Sequence, residues 1–470
     1  MKSMTPSSLQ DVMRIVGEAK ASSETELSDL IAESVRKSAE EIYETNVHSH
    51  SGHDQDLTSR LDNILTSRLI GYPVMLLLLA AVFWITLLGA NWPSSILFRF
   101  FFSVEDCLVR VLKCLRAPEW FVGVTVFGAY RSLAWVVSVM LPPIAIFFPC
   151  FTLLEDLGYL PRIAFNLDTF FKRVGSHGKQ ALTMCMGFGC NAAGVVACRI
   201  IDSPRERLIA CLTNTFVPCN GRFPAIILVS AMFLRTSAMS AGGIGATTVW
   251  LMFSVFLGAT VTFIVSWTLS RTILKGMPSA FAIELPPYRQ PQIAKTLIRS
   301  FLDRTVFVLA RAAAVAAPAG IVTWILANTS FQGASLLLRL ATALGPLGNA
   351  IGLDGFILAA FLLGLPANEI VIPILIMGYS SGGAMVDMDS LSALRGLLVS
   401  CGWTSRTALC FIIFSVLHYP CATTLWTIWH ETRDLKWTLF GALMPLAIAT
   451  GLCFLVTQLS LLPGITLSMI

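Results

Sequence analysis

LIGYPVMLLLLAAVFWITLLGA, residues 69–90, is a run of 22 positions without a charged side chain. About 20 such residues, wound as a helix, cross the hydrocarbon core of a bilayer. No charge interrupts the stretch between Arg68 and Arg99, and Trp84 and Trp92 are spaced to sit near an interface. Working outward, a long and largely apolar run at 121–154 is interrupted by Pro142-Pro143 and Pro149, and charge-free runs occupy 236–270, 312–338, 407–430 and 437–470. Shorter runs at 180–198, 208–234 and 355–379 are interrupted by Gly, Pro, Asn and one or two ionisable groups. Together they predict an all-α, polytopic membrane protein with about eight transmembrane helices. Composition agrees: only 13% of the 470 residues are charged and 55% are hydrophobic, with a mean hydropathy of +0.72. A soluble domain carries about 25% charge, so lipid must cover part of this apolar surface.

The polar flanks divide the chain. Residues 1–68 read as a soluble segment, in which Leu27, Leu30, Ile31, Val35 and Ile42 recur at helical spacing. It has no basic start followed by an apolar core, so no cleavable signal peptide is expected, and it is too short for a nucleotide-binding domain. Residues 96–116 read as an amphipathic helix lying along the surface or packed beside the bundle. Residues 69–270 form a first transmembrane half and 305–470 a second. Between them, 271–304 carries Arg271, Lys275, Arg289, Lys295, Arg299 and Arg304, and is expected to face the cytoplasm. The net charge of +5 includes no basic block of the kind that binds nucleic acid. Twelve cysteines, several inside apolar runs, do not form a secreted disulfide framework and read as reduced thiols.

Two stretches repeat. Gly187-Phe188-Gly189-Cys190-Asn191-Ala192 aligns without gaps to Gly364-Leu365-Pro366-Ala367-Asn368-Glu369, and each is followed by an apolar segment ending in Pro-Cys, at Pro218-Cys219 and Pro420-Cys421. The second copy has a longer insert at roughly 380–402, rich in Gly, Ser and Asp. Paired, Gly/Pro-interrupted segments in two related halves mark the substrate site of many transporters, because unpaired backbone at membrane depth is tolerated only inside protein or beside a cavity.

Cys190, Cys219 and Cys421 adjoin these breaks. A thiolate is a soft ligand suited to transition metals, and a cysteine is equally a small residue for a tight helix crossing; both readings are open. Glu369 costs ~2.5–3.5 kcal/mol at membrane depth, so it needs a cation, a cavity, a proton path, or a partner such as Arg222 or Arg406. Asn191 and Asn368 offer neutral oxygens, for a substrate or for a neighbouring helix. Glu155-Asp156 reads either as an acidic mouth or as a helix end paired with Arg162. His48, His50 and His53 form a His-rich tract, a weak metal signal.

No Gly-x-x-x-x-Gly-Lys-Ser/Thr occurs; Gly175-Ser176-His177-Gly178-Lys179-Gln180 has the wrong spacing. Neither a nucleophile elbow nor an H-E-x-x-H pair is present, so the chain does not read as an enzyme.

Leu154-Glu155-Asp156-Leu157-Gly158-Tyr159-Leu160-Pro161-Arg162, Gly187–Asn191, Arg205–Leu208 with Pro218–Pro224, Pro366–Val371, Tyr419–Thr424, Glu431 and Trp437 resemble, in order, the membrane half of the ferrous-iron transporter B family. The resemblance covers about 65–460 and implies Fe²⁺ import through a pore between two gate repeats in a bacterial inner membrane. It implies Cys190 and Cys421 as pore residues; Cys219, Asn191, Asn368, Glu369 and Glu155 join them on polarity and position. It further implies no permanently bound cofactor, a homo-oligomer, a small acidic accessory protein and, as the family's usual G domain is not in this sequence, a separate small GTPase. Transport of another solute, a nucleoside or a different divalent metal, and a non-transporting scaffold are the alternatives.

Overall fold

A computed structural model describes residues 27–46, 61–67, 69–233, 244–276, 292–331, 334–379 and 391–461. The His48, His50 and His53 tract, and 277–291 and 380–390 of the basic segment and the insert, lie outside those residues. The first helix, α1 (Leu27–Asn46), realises the periodicity read at 27–42 and leaves Ile31, Val35 and Ile42 exposed.

The first span is longer than expected. Helix α2 runs unbroken from Gly71 to Cys114, with Pro93 inside it. Its 44 residues reach about 66 Å at 1.5 Å each, beyond the ~40–45 Å of a whole bilayer. The amphipathic stretch at 96–116, read as a helix along the surface or beside the bundle, is therefore a continuation of this same helix. Of its charged residues Glu105 is buried and ion-paired with Arg131 of the next helix, while Asp106, Arg110 and Lys113 stay exposed, and the Tyr130 hydroxyl donates to the Phe101 carbonyl at 2.9 Å.

The rest of the chain is built twice. In the first copy α3 (Glu119–Asp156) is π-helical over Gly123–Tyr130 and is followed by α4 (Tyr159–Arg173), α5 (Gln180–Gly189), α6 (Asn191–Ala197), α7 (Pro204–Thr213), α8 (Phe223–Phe233) and α9 (Ile244–Arg271). After the basic segment come α10 (Ile293–Ser300) and a second π-helical turn, Phe301–Val306. Then follow α11 (Phe307–Asn328), α12 (Leu336–Ala350), α13 (Gly355–Leu363), α14 (Val371–Tyr379), α15 (Leu391–Ser400), α16 (Ser405–Leu417), α17 (Ala422–Thr432) and α18 (Leu435–Leu461).

One constant separation in sequence relates the start of α4 to the start of α12, each 15 residues long. The same separation relates Gly175 to Gly352, both at φ 75°, and Cys190 to Ala367, at φ/ψ −155°/124° and −151°/119°. The left-handed turns select glycine because a Cβ there would crowd its own carbonyl. The repeat seen in six residues of sequence thus extends over at least α4 to α6 and α12 to α14.

Among the described residues five helices are long and apolar enough to span a bilayer: α2, α3, Val249–Arg271 of α9, the broken rod Ser405–Thr432 and Leu435–Ser460 of α18. A sixth is made if α12 and α13, which meet at 112°, count as one span. Other apolar runs fold, among the described residues, as shorter pieces: Asn191–Ile200, Phe223–Phe233, Ala313–Asn328 and Asn368–Tyr379.

The copies pack through small residues. A Cβ on Gly320 would lie 2.2 Å from the Gly128 carbonyl, and one on Gly123 would lie 2.0 Å from the Trp324 ring, so α3 and α11 cross at backbone distance, as close-packed membrane helices do. One buried cluster, including Phe147 and Phe148 of the first copy and Phe361, Phe411 and Phe414 of the second, runs through both.

Candidate metal-binding site

The first break is shaped by one asparagine. A Cβ on Gly187 would meet Asn214 Oδ1 at 2.8 Å, and one on Gly194 would meet Asn214 Nδ2 at 2.3 Å. The Asn214 amide is therefore wedged between α5 and α6, where it donates to the Asn191 carbonyl at 3.1 Å. With its own nitrogen turned inward, the Asn191 side chain donates to Gly187 O at 3.1 Å and Val217 O at 3.0 Å. The bond to Gly187 O satisfies a carbonyl in the last turn of α5, which a terminating helix leaves without a partner. Cys190, extended, is the N-cap residue of α6.

The second break uses proline. Pro366 has no N–H to continue α13, Ala367 is extended, and a single 3₁₀ turn, Asn368–Ile370, restarts the helix. The Ala422 N–H donates to Leu365 O at 2.8 Å, fastening this break to the second Pro-Cys. Cys421 is the N-cap residue of α17, and its Sγ lies 2.9 Å from Thr423 Oγ1 and 3.3 Å from Thr424 Oγ1.

The two breaks and the two Pro-Cys turns enclose one cavity of about 50 Å³, room for a few waters or one cation at ~10–15 Å³ per water. Its wall is built from related positions: Gly189 and Pro366, Cys190 and Ala367, Asn191 and Asn368, Ala192 and Glu369, Cys219 and Cys421. Six of the seven residues expected at the site, namely Cys190, Cys219, Cys421, Asn191, Asn368 and Glu369, line it together.

Glu155 does not. It is exposed at the C-terminal end of α3 and absent from the cavity wall. The chain turns there through Gly158, at φ 79°, which carries the acidic pair away from the breaks. Arg162, the proposed partner of that pair, is bonded to Asp62, Nε to Oδ1 at 3.0 Å, and to Gly158 O at 2.7 Å.

Glu369 is half-buried and makes no ion pair among the described residues. Arg222, one suggested partner, is fully buried and turns both terminal nitrogens to backbone, while its Nε has no hydrogen-bond partner. It donates to Thr215 O (3.2 Å), Val416 O (2.6 Å), His418 O (3.2 Å) and Tyr419 O (3.3 Å). Asn368 is also buried, and its Oδ1 has no hydrogen-bond partner. An orphaned buried oxygen is costly, and this one belongs to a residue of the cavity wall. Three thiols, a carboxylate and amide oxygens form a donor set of the mixed soft and hard kind that transition metals accept. Among the described residues no three His, Cys, Asp or Glu side chains come together as a closed metal site.

Four of the other cysteines are buried packing groups. Cys198 and Cys211 lie in a buried apolar cluster with Val195 and Ile428, and Cys410 and Cys453 lie in the main core. Away from the cavity, Arg199 and Glu431 join the copies through a bidentate pair, Nη2 to Oε1 at 2.6 Å. Lys179 holds Asp202 at 2.9 Å, and its hydrogen bond and charge keep that exposed carboxyl below the usual carboxylate range.

Two family models match the chain: "Nucleoside recognition", of the Gate type, at residues 137–233 and 309–434, and "Ferrous iron transport protein B C terminus" at 251–303. The paired Gate matches fall on the two structural copies. The chain is 30% identical over 417 residues to the Fe(2+) transporter FeoB of Staphylococcus aureus (strain MSSA476), covering 86% of this chain and 59% of the relative. The chain belongs to the FeoB family, through its membrane portion. Further FeoB relatives are the Fe(2+) transporters of Methanocaldococcus jannaschii, 26% identical over 83% of this chain and 57% of the relative, and of Synechocystis sp., 27% identical over 88% and 64%. The chain thus spans about three-fifths of the length of the curated FeoB proteins it matches. No solved structure matches it.

Asn214, Gly221, Arg222 and Thr423 are the contributors that sequence reasoning left out or left as scaffolding. Asn214 carried a signal, a lone amide within the apolar run 208–217.

Proposed function

We propose that Fe²⁺ crosses the bilayer, inward, by way of the cavity between the two copies. Cys190, Cys219, Cys421, Asn191, Asn368 and Glu369 would replace part of its hydration shell in transit. The observation that carries this reading is that equivalent positions of both copies, and almost all the metal-competent groups at the breaks, line one enclosed space. The relatives are named Fe(2+) transporters, which supports iron as the cargo. The basic flank around 271–304 supports a cytoplasmic placement for that segment, in the inner membrane of a bacterium.

The 470 residues contain no P-loop, so any coupling to GTP draws on residues outside them. One relative, from Porphyromonas gingivalis (strain ATCC BAA-308 / W83), is named an Fe(2+) transport protein A/Fe(2+) transporter FeoB fusion protein, which supports a small accessory partner. A nucleoside as cargo fits less well. Small-molecule pockets run to ~300–1,000 Å³, and this cavity offers about 50 Å³.

The test is anaerobic Fe²⁺ entry into vesicles that hold the purified chain and an internal iron indicator. Entry is expected in the wild type and is expected to fall at least about tenfold in the Cys190→Ser, Cys421→Ser double variant, since even outer-shell partners of a metal contribute ~10–100-fold. Vesicles that stay dark with every partner and nucleotide added would leave the scaffold reading instead.

A further inference from the structure

We propose that the turn Cys219-Asn220-Gly221-Arg222 of the first copy is the positioning element for the two ligands that the second copy supplies, Glu369 and Cys421; this rests on the cavity being the ion path.

The turn is closed by the Arg222 N–H donating to Cys219 O at 2.9 Å. Each of its last two residues acts across the boundary between the copies. Gly221 seats Glu369: a Cβ there would lie 1.9 Å from the carboxylate Oε1 and 2.7 Å from its carbon. The carboxylate therefore occupies the space that any larger residue would fill. In the related positions the volumes are exchanged. The second copy has Thr423 where the first has Gly221, the first has Ala192 where the second has Glu369, and α6 packs on α17. One carboxylate at one glycine, rather than two related carboxylates, makes the cavity asymmetric.

Arg222 fixes Cys421. Its guanidinium bonds three carbonyls leading into the second Pro-Cys turn, Val416 O, His418 O and Tyr419 O, and Thr215 O on its own side. The last helical N–H before that turn is that of His418, bonded to Phe414 O at 2.8 Å, and the next helix starts at its cap, Cys421, so the direction of the thiol depends on what holds those carbonyls. Gly221 and Arg222 are positioning residues: Gly221 acts through Glu369, and Arg222 acts through the backbone ahead of Cys421.

Gly221→Ala, Arg222→Lys, Glu369→Gln and the Gly221→Ala, Glu369→Gln pair separate this from a general packing role. The new methyl at position 221 meets only the far end of a flexible side chain, and lysine keeps the charge at 222, so both variants are expected to fold. In vesicles, Gly221→Ala should raise KM for Fe²⁺ about tenfold or more and add less than twofold in the Glu369→Gln background, the non-additivity of groups acting through each other. Arg222→Lys should raise the labelling rate of Cys421 by a small maleimide severalfold, read peptide by peptide by mass spectrometry, while Gly221→Ala leaves that rate unchanged. Additive effects at 221 and 369, or an unchanged labelling rate at Cys421 in Arg222→Lys, would overturn the proposal. Labelling needs no transport, so it reports on the turn even where the wild type proves unable to carry iron.

Discussion

Glu369→Gln is expected to stop most Fe²⁺ entry while leaving the protein at least as stable as the wild type. Glutamine fills the same space over Gly221 and keeps an oxygen and a polar head at the cavity, but it removes the charge. A carboxylate at membrane depth is disfavoured by ~2.5–3.5 kcal/mol on insertion scales, and no ion pair of Glu369 among the described residues offsets that. Removing it should therefore raise the thermal unfolding midpoint in detergent or leave it unmoved. A divalent cation, by contrast, loses the one full negative charge on the cavity wall, and flux should fall by about 10–100-fold or more. Initial uptake rates and unfolding midpoints, measured on one preparation, check both halves. A variant that is less stable and still transports would make Glu369 a structural residue.

Arg222→Leu is expected to give the opposite pair of results, a protein that does not reach a folded state. Leucine fills the volume but strips the donors from four carbonyls at the meeting point of the copies. Each buried, unsatisfied group costs ~1–3 kcal/mol, so the loss amounts to several kcal/mol, enough to unfold a protein of ordinary stability. Monodispersity in detergent and the yield of membrane-inserted chain should collapse. Arg222→Lys, which can still donate to some of these carbonyls, should recover a large part of both. A well-folded Arg222→Leu protein would mean that the second Pro-Cys turn is held by its own packing.

The spans were legible because a long charge-free run such as 69–90 has one stable fate in lipid. The site was legible for a related reason: Gly and Pro placed just ahead of Asn191 and Asn368 break helices, and a break at depth must face protein or a cavity. Cys190, Cys219, Cys421, Asn191, Asn368 and Glu369 were reached by that route, and the structure brings them to one wall. Glu155 was added on polarity and its position at the end of an apolar run, away from both repeats, and it lies elsewhere. Helix α2 was divided too early because the charges at 105–113 suggest a surface, whereas Glu105 is buried against Arg131, a pairing between residues of different helices that no local pattern announces. The same limit hid Gly221 and Arg222. A glycine beside Pro-Cys reads as a turn, and only the fold shows that its missing side chain makes room for a carboxylate from the other copy. The interrupted runs were counted as full spans since composition records apolar length and not the direction of the chain at each break.

The most direct test of a thiol-lined site shared by both copies is the electronic spectrum of the purified chain titrated anaerobically with Co²⁺ as a stand-in for Fe²⁺. A near-ultraviolet thiolate-to-cobalt charge-transfer band is expected in the wild type, weakened in Cys190→Ser and in Cys421→Ser and absent when both are replaced. Co²⁺ binding without that band, or a band that survives the double replacement, would contradict it.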